Sequence, residues 1–300
     1  MNEERMTQTE SFLIFRQARI PLVCPNCHGP LTATLLCNAC GNEFSNTENI
    51  PRLIHSEAID KISIDEKGDT ENNFKNFFKR WPNLYQWAIR IVAPVIFTGL
   101  SASRFFDRTN ETDLLLNVGS GPTDVHPRAI NVDVFHFPNV HIIADAERMP
   151  FASDTFDAVC CEEVLEHIRR PENVVAEMKR VTKPGGNIYI SVPFLFPYHP
   201  SPNDFRRYSL EGLRSLFSDF EVIESGVHSG PISATLIVLA SGLATIASFG
   251  IHPIQKILNY LFMLILSPLK LLDLYYARTP AAEITASGVY IVAKKPSTNV

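Results

Sequence analysis

The sequence predicts an α/β fold, an open and mostly parallel sheet covered by helices on both faces. Three observations carry that prediction. Strand-length apolar runs alternate with helix-period segments through the second half of the chain, the pattern of strand–helix–strand units. The run Leu114-Leu115-Leu116-Asn117-Val118 ends in the small-residue turn Gly119-Ser120-Gly121-Pro122. Two later runs end in acids, Asp133 and Asp145. An open parallel sheet binds its ligand along that carboxyl edge.

The chain has 300 residues, of which 45% are hydrophobic, enough for one ordinary domain with additions. Its formal net charge of -5 excludes a global basic field that would attract nucleic acid. Residues 1–10 are polar and acidic and read as no signal peptide. Four regions follow one another: a lead-in over 1–20, a Cys-rich unit over 21–55, a linker with an apolar helix over 56–112, and the α/β domain over 113–300. No internal repeat is visible.

The Cys-rich unit holds Cys24-Pro25-Asn26-Cys27 and Cys37-Asn38-Ala39-Cys40. Two such knuckles offer four thiolates to one tetrahedral ion, and four soft ligands with no open position make a structural zinc site. Gly29 and Gly41 are expected to relieve the two tight turns. The remaining cysteines, Cys160 and Cys161, are adjacent in a strand, so the usage fits a reducing compartment better than a disulfide framework. Beyond the polar linker, residues 83–95 read as a helix with Leu84, Tyr85, Ala88, Ile91, Val92 and Val95 on one face; Trp81 and Trp87 suit a headgroup region.

In the α/β domain the expected strands are 114–118, 130–134, 140–145, 156–161, 187–193, 220–225 and 288–294. Residues 171–181 read as a helix with Val174, Val175, Met178 and Val181 inward. It stops before the breaker Lys183-Pro184-Gly185-Gly186. Ser209 caps a second helix running through Phe217. Pro127 follows the first strand too soon for a long helix there, so a loop or single turn is expected over 121–130.

Gly119 and Gly121 let backbone approach a ligand closely. Asp133 can accept from two ribose hydroxyls and Asp145 from an exocyclic amine. With Phe156-Asp157-Ala158-Val159, Glu163-Val164-Leu165-Glu166-His167 and Lys183-Pro184-Gly185-Gly186-Asn187-Ile188, these signals stand in the order of the class I S-adenosylmethionine-dependent methyltransferases, which the chain resembles from about Asp113 to Pro231 and again near Ser287 to Lys294. The resemblance implies a Rossmann-like sheet of seven strands and an S-adenosylmethionine site made by Asn117, Gly119, Gly121, Asp133, Asp145, Ala146 and Glu162. Asn117 stands where the family usually has an acid. After the knuckles, Phe44 and Ile50-Pro51-Arg52-Leu53-Ile54 resemble the zinc ribbon fused to some bacterial ribosomal-RNA guanine methyltransferases, and are similar to a small zinc protein that activates several methyltransferases.

The loop Tyr198-His199-Pro200-Ser201-Pro202-Asn203-Asp204-Phe205-Arg206-Arg207-Tyr208 packs His, Asp, two Arg and two Tyr between stiffening prolines. Polar groups on a rigid loop at a sheet's carboxyl edge are a common site pattern. The loop resembles that of a methyltransferase subgroup linked to surface-glycan or lipid-linked metabolism. A sulfonium methyl is already electrophilic, so the protein must align a nucleophile and exclude water. A hydroxyl acceptor also needs a base, for which His199, Asp204 and His167 are candidates. Tyr198, Arg206, Arg207 and Tyr208 are candidate acceptor-binding residues; the arginines can hold a carboxylate or phosphate, or pair with Asp204.

About sixty residues separate the sixth and seventh strands, far beyond a hairpin loop. Residues 230–250 and 257–269 carry no charge. Two crossings of a bilayer would bury Lys270 and Asp273, so the expectation is helices lying in the interface or a shallow re-entrant hairpin, with a homodimer contact as the rival use of the surface. The implied protein is cytoplasmic, peripheral or monotopic at the inner face of a membrane, and methylates a small-molecule, lipid-linked or glycan acceptor. The alternatives are an RNA methyltransferase whose ribbon grips RNA, and a non-catalytic cofactor-binding membrane scaffold.

Overall fold

The structure, a computed structural model, describes residues 12–15, 18–54, 91–200 and 203–297. The lead-in 1–11 and most of the helix expected over 83–95 lie outside the described residues.

The domain's strands are β5 (Leu115–Val118), β6 (Ala129–Asp133), β7 (Ile142–Ala144), β8 (Phe156–Glu162), β9 (Thr182–Pro193), β10 (Glu221–Ser229) and β11 (Gly288–Lys294). Before them come the hairpin β1 (Phe12–Phe15) and β2 (Ala18–Pro21), and the hairpin β3 (Ser45–Thr47) and β4 (Ile50–Leu53). One nine-stranded sheet has the order β10-β11-β9-β8-β5-β6-β7-β4-β3. Its central strands from β9 to β4 are parallel, and β11 inserts antiparallel between β9 and β10. This is the Rossmann-like methyltransferase sheet expected from the sequence, lengthened by two strands that the Cys-rich unit adds to the β7 edge.

β5 and β6 are buried at every position. That is what a parallel strand covered on both faces requires, and it explains their near-continuous apolar runs. Between them residues 119–128 form only turns and bends, as the early Pro127 implies. β9 begins earlier than expected: the breaker at Lys183–Gly186 does not end the strand but makes an irregularity in it, with Gly185 at φ 78°. β10 likewise runs on to Ser229, which brings His228 into the core.

Helix α1 (Ala102–Phe106) covers one face, packing Phe105 and Phe106 with Tyr189 and Tyr290. Helices α2 (Pro171–Val181) and α3 (Leu210–Ser215) belong to the main core, where Val174, Met178, Val181 and Leu213 are fully buried. The Ser209 hydroxyl accepts from the Gly212 amide at 3.1 Å, the expected cap.

The insertion forms α4 (Pro231–Ala247), α5 (His252–Leu266), a 3-10 turn (Ser267–Leu272) and α6 (Asp273–Tyr276). α4 buries Leu236, Ile237, Ala240 and Ala244, whereas α5 buries no residue. Asp273, wholly buried, ties the hairpin shut: its carboxylate accepts from the amides of Ile232 at 3.0 Å and Ser233 at 2.7 Å, orphan donors in the first turn of α4. Asp273→Ala is expected to cost about 3 kcal/mol, because two buried amides lose charged acceptors. Urea unfolding measures it; a loss below about 0.5 kcal/mol, the scale of an ordinary surface substitution, would remove the tie from the account.

Candidate active site and metal centre

The four cysteine sulfurs of the N-terminal unit converge, all within 4.8 Å of one another, with Cys24 Sγ 3.6 Å from Cys40 and Cys27 Sγ 3.5 Å from Cys37. Both knuckles close the same way: the His28 amide donates to the Cys24 carbonyl and the Gly41 amide to that of Cys37, each at 2.8 Å. The left-handed positions are His28 (φ 56°) and Gly41 (φ 74°). Gly41 thus relieves its turn as expected, but Gly29 does not. Gly29 instead gives room, since a Cβ there would lie 3.0 Å from Ala39 Cβ and 3.3 Å from Cys27 Sγ. Burial pushes the Cys24 thiol up to about 12, while the Asn42 amide holds Cys40 down to about 7. Four thiols in this cage fit a tetrahedral zinc ion.

The glycine turn sits at the carboxyl end of β5. The amides of Gly119 and Ser120 donate to the Val132 carbonyl at 2.8 and 3.1 Å. Gly119 has φ 69°, and a Cβ there would meet Val164 Cγ2 at 2.4 Å, so no other residue fits. Asp133 ends β6. Its carboxylate accepts from the Gly121 amide at 2.8 Å and the Phe135 amide at 2.9 Å, and burial raises its pKa. Asp145 follows β7; one oxygen accepts from the Glu147 amide at 2.9 Å, which fixes its direction, and Ala146 beside it is half-buried.

Asn117 differs from its expected place at the ligand. It is buried in the sheet, donates to Asn131 Oδ1 at 3.0 Å and accepts from the Cys160 thiol at 3.1 Å. Asn131 in turn donates to Asp124 and to the Asn139 carbonyl, and Asn139 donates to the Gly121 carbonyl at 3.0 Å. The amide at 117 therefore braces the glycine turn from beneath. The cue in the sequence was Asn131, which pairs with Asn117 in register across β5 and β6.

Glu162 ends β8, where its Oε1 accepts from the Ala102 amide at 3.2 Å and lies 3.3 Å from Tyr189 Oη. His228 completes this cluster, its Nδ1 3.0 Å from the Leu100 carbonyl, and burial lowers its pKa. Sequence reasoning missed His228 because β10 was expected to end at 225. Cys160 and Cys161 are fully buried, and burial pushes both thiols up; they are inert packing.

The loop after β9 comes to the same edge. His167 lies in a 3-10 turn (Leu165–His167) after β8, and its ring is 5.2 Å from that of His199. Burial lowers the pKa of both imidazoles. Asp204 would be raised by its burial, but the Arg207 guanidinium and the His199 amide hold it down to about 2. Arg207 is committed to Asp204 and to the carbonyls of Phe196 and Pro197, so it buckles the loop. Arg206 reaches away to Glu172 at 2.7 Å. Tyr208 is buried in the core, and Tyr198 is exposed. Of the expected acceptor-binding residues, Tyr198 is the most exposed, and Arg206 is partly exposed but paired with Glu172.

Residues 122–190 match the family described as a methyltransferase domain. With the sheet order and the edge just described, that segment is similar to the class I methyltransferases and lies in a Rossmann-like sheet. Among curated relatives, a demethylmenaquinone methyltransferase of Renibacterium salmoninarum is 44% identical over 55 residues, covering 18% of this chain and 23% of that one. A ubiquinone biosynthesis O-methyltransferase of Dechloromonas aromatica is 46% identical over 46 residues, 15% of this chain and 18% of the relative. The chain thus spans less than a quarter of the length of these relatives. Among solved structures, phosphoethanolamine N-methyltransferase 2 of Haemonchus contortus aligns at 15% identity and a TM-score of 0.42, over 64% of this chain and 51% of that one.

Proposed function

We propose that the protein transfers a methyl group from S-adenosylmethionine to a small, lipid-linked acceptor at the cytoplasmic face of a membrane, with a structural zinc ion in its ribbon. The observation that carries the reading is the carboxyl edge: a glycine turn held against Asp133, inside the segment that matches the methyltransferase family. S-adenosylmethionine, when bound, supplies an electrophilic sulfonium methyl. The chain's residues do the rest. Asp133 accepts from ribose hydroxyls, Asp145 accepts from the adenine amine, and Gly119 and Gly121 admit backbone to close range. His199, positioned by Asp204 and backed by His167, receives the acceptor's proton at an imidazole nitrogen. The loop excludes water.

Two observations support a lipid-linked acceptor. The relatives above are named for menaquinone and ubiquinone biosynthesis. In addition, an apolar groove of about 780 Å³ joins the start of the loop (Phe194, Phe196, Pro197) to α4 (Val238, Gly242, Ile246) and so to the exposed insertion. A glycan acceptor has no comparable support.

Calorimetry with S-adenosylmethionine tests the pocket. Asp133→Ala and Asp145→Ala should each weaken binding about tenfold to a hundredfold, because each leaves a donor on the ligand unpaired. His199→Ala should retain affinity and lose about 10²-fold or more in turnover with the true acceptor. Unchanged affinity in both aspartate variants would refute the pocket.

A further inference from the structure

β8 and β9 are parallel neighbours, so the turn after one and the loop after the other meet at the carboxyl edge. There Glu166, His167 and His199 each bring one donor atom within 4.8 Å of the other two. We infer that these three residues bind one divalent transition-metal cation, a second metal site distinct from the cysteine cage.

The warrant is Glu166. Its side chain has no exposure, and neither carboxylate oxygen has a hydrogen-bonding partner. Buried polar atoms are otherwise paired, and a carboxylate left bare in the interior is costly. The charged groups beside it do not resolve the problem: Arg207 is spent on Asp204, and Asp204 itself is negative. A cation does resolve it. His167 Nε2 already lies 3.5 Å from Glu166 Oε1, close to the ligand–ligand spacing of about 3.3 Å in a tetrahedral site with 2.0–2.1 Å bonds.

The second nitrogen of each imidazole is also held, as metal-bound histidines require. His167 Nδ1 is hydrogen-bonded to the Asn203 carbonyl, which leaves Nε2 for the metal. His199 Nδ1 lies 3.4 Å from Asp204 Oδ2 and 3.3 Å from Arg207 Nη2. The tautomer with Nδ1–H toward Asp204 frees Nε2. Two imidazoles and one carboxylate suit zinc, manganese or iron(II), and three protein ligands leave positions open. His199, itself partly exposed, belongs to the loop proposed to receive the acceptor, whose oxygen could take one of them.

The inference rests on the proposed methyltransferase site and changes one role in it: with a cation held, His199 Nε2 would be a ligand rather than the base, and the cation would supply the acidity that the acceptor needs; binding read without turnover keeps the two readings separable. Full-length protein, with zinc retained in the ribbon, is titrated with manganese(II) and the free ion is followed by electron paramagnetic resonance. Thiolates select softer ions, so the cage does not compete. The expected result is about one manganese per chain. Glu166→Gln and His199→Ala should abolish it, and Asp204→Asn should weaken it about tenfold to a hundredfold. The surface variant His252→Ala should bind as wild type. His199→Ala alters a loop side chain and keeps the test decisive if Glu166→Gln fails to fold. No manganese bound to the wild type, or binding unchanged in His199→Ala, would overturn the site.

Discussion

Removing zinc from the ribbon is expected to damage the whole domain, not just the first fifty residues. Structural zinc sites hold about 10–16 kcal/mol of apparent binding energy at neutral pH, and that energy is folding energy. Here the ribbon is not an appendage. Ile20, Leu22, Leu31, Leu53 and the buried Cys24 and Cys37 belong to the same apolar cluster as Leu116, Val132 and Ile190 of the central sheet. β4 pairs with β7, and the Val23 amide donates to the Pro150 carbonyl at 3.0 Å. Each of those four aliphatic side chains loses about 1.5–3 kcal/mol if the ribbon opens and exposes it. Cys37→Ser, or prolonged chelation, should therefore lower the melting temperature by about 10 °C or more, since 1 kcal/mol moves a domain of this size by about 2–4 °C. Metal analysis of untreated protein should return about one tightly held zinc per chain, with any ion at Glu166 more easily removed. A metal-free protein that melts at the wild-type temperature would sink both the zinc assignment and the integral role of the ribbon.

The central sheet was legible because each of its strands is written in a local pattern. Leu114 to Val118 is apolar on both faces, and helix 171–181 shows its buried stripe at helical spacing. The less legible parts depend on contacts distant in sequence. Nothing within Ile50-Pro51-Arg52-Leu53 says that it will pair with Ile143 and Ala144 about ninety residues later; an edge strand with a proline looks like a loop until its partner is known. Asn117 carried the resemblance to a ligand-binding position, but whether an amide faces a ligand or the next strand is decided by Asn131 across the sheet. Glu166 and His167 were read as one turn with a catalytic candidate. Their chemistry depends on His199, brought near by the parallel pairing of β8 and β9.

The insertion gives the other large expected effect: replacing the exposed face of α5 should release the protein from membranes. His252–Tyr276 is 25 residues long and apolar enough to cross a bilayer by length and composition. Two contacts argue against a crossing. Asp273 is buried against the first turn of α4, and Lys270 Nζ donates to the Ala93 carbonyl at 2.7 Å, so the end of this run is fastened to the domain. α5 meanwhile buries nothing, and Phe249 (93% exposed) at the hairpin tip and Ile257 (70%) project freely. A surface this apolar marks a lipid or protein contact, and an amphipathic helix in the interface keeps its charged neighbours in water. Because α4 supplies buried residues, excising the whole insertion would confound membrane release with unfolding. The narrower variant Ile257→Asp/Leu261→Asp/Ile265→Asp touches only exposed positions of α5. Each substitution forfeits about 1.5–3 kcal/mol of apolar burial in lipid, so partition onto vesicles should fall by about a thousandfold or more while the melting temperature stays within about 2 °C. Wild-type protein should pellet with vesicles and resist high salt. If instead it forms a discrete dimer that ignores vesicles and the triple variant is monomeric, the surface is a subunit contact. Wild-type protein that is freely soluble and monomeric without detergent would exclude both.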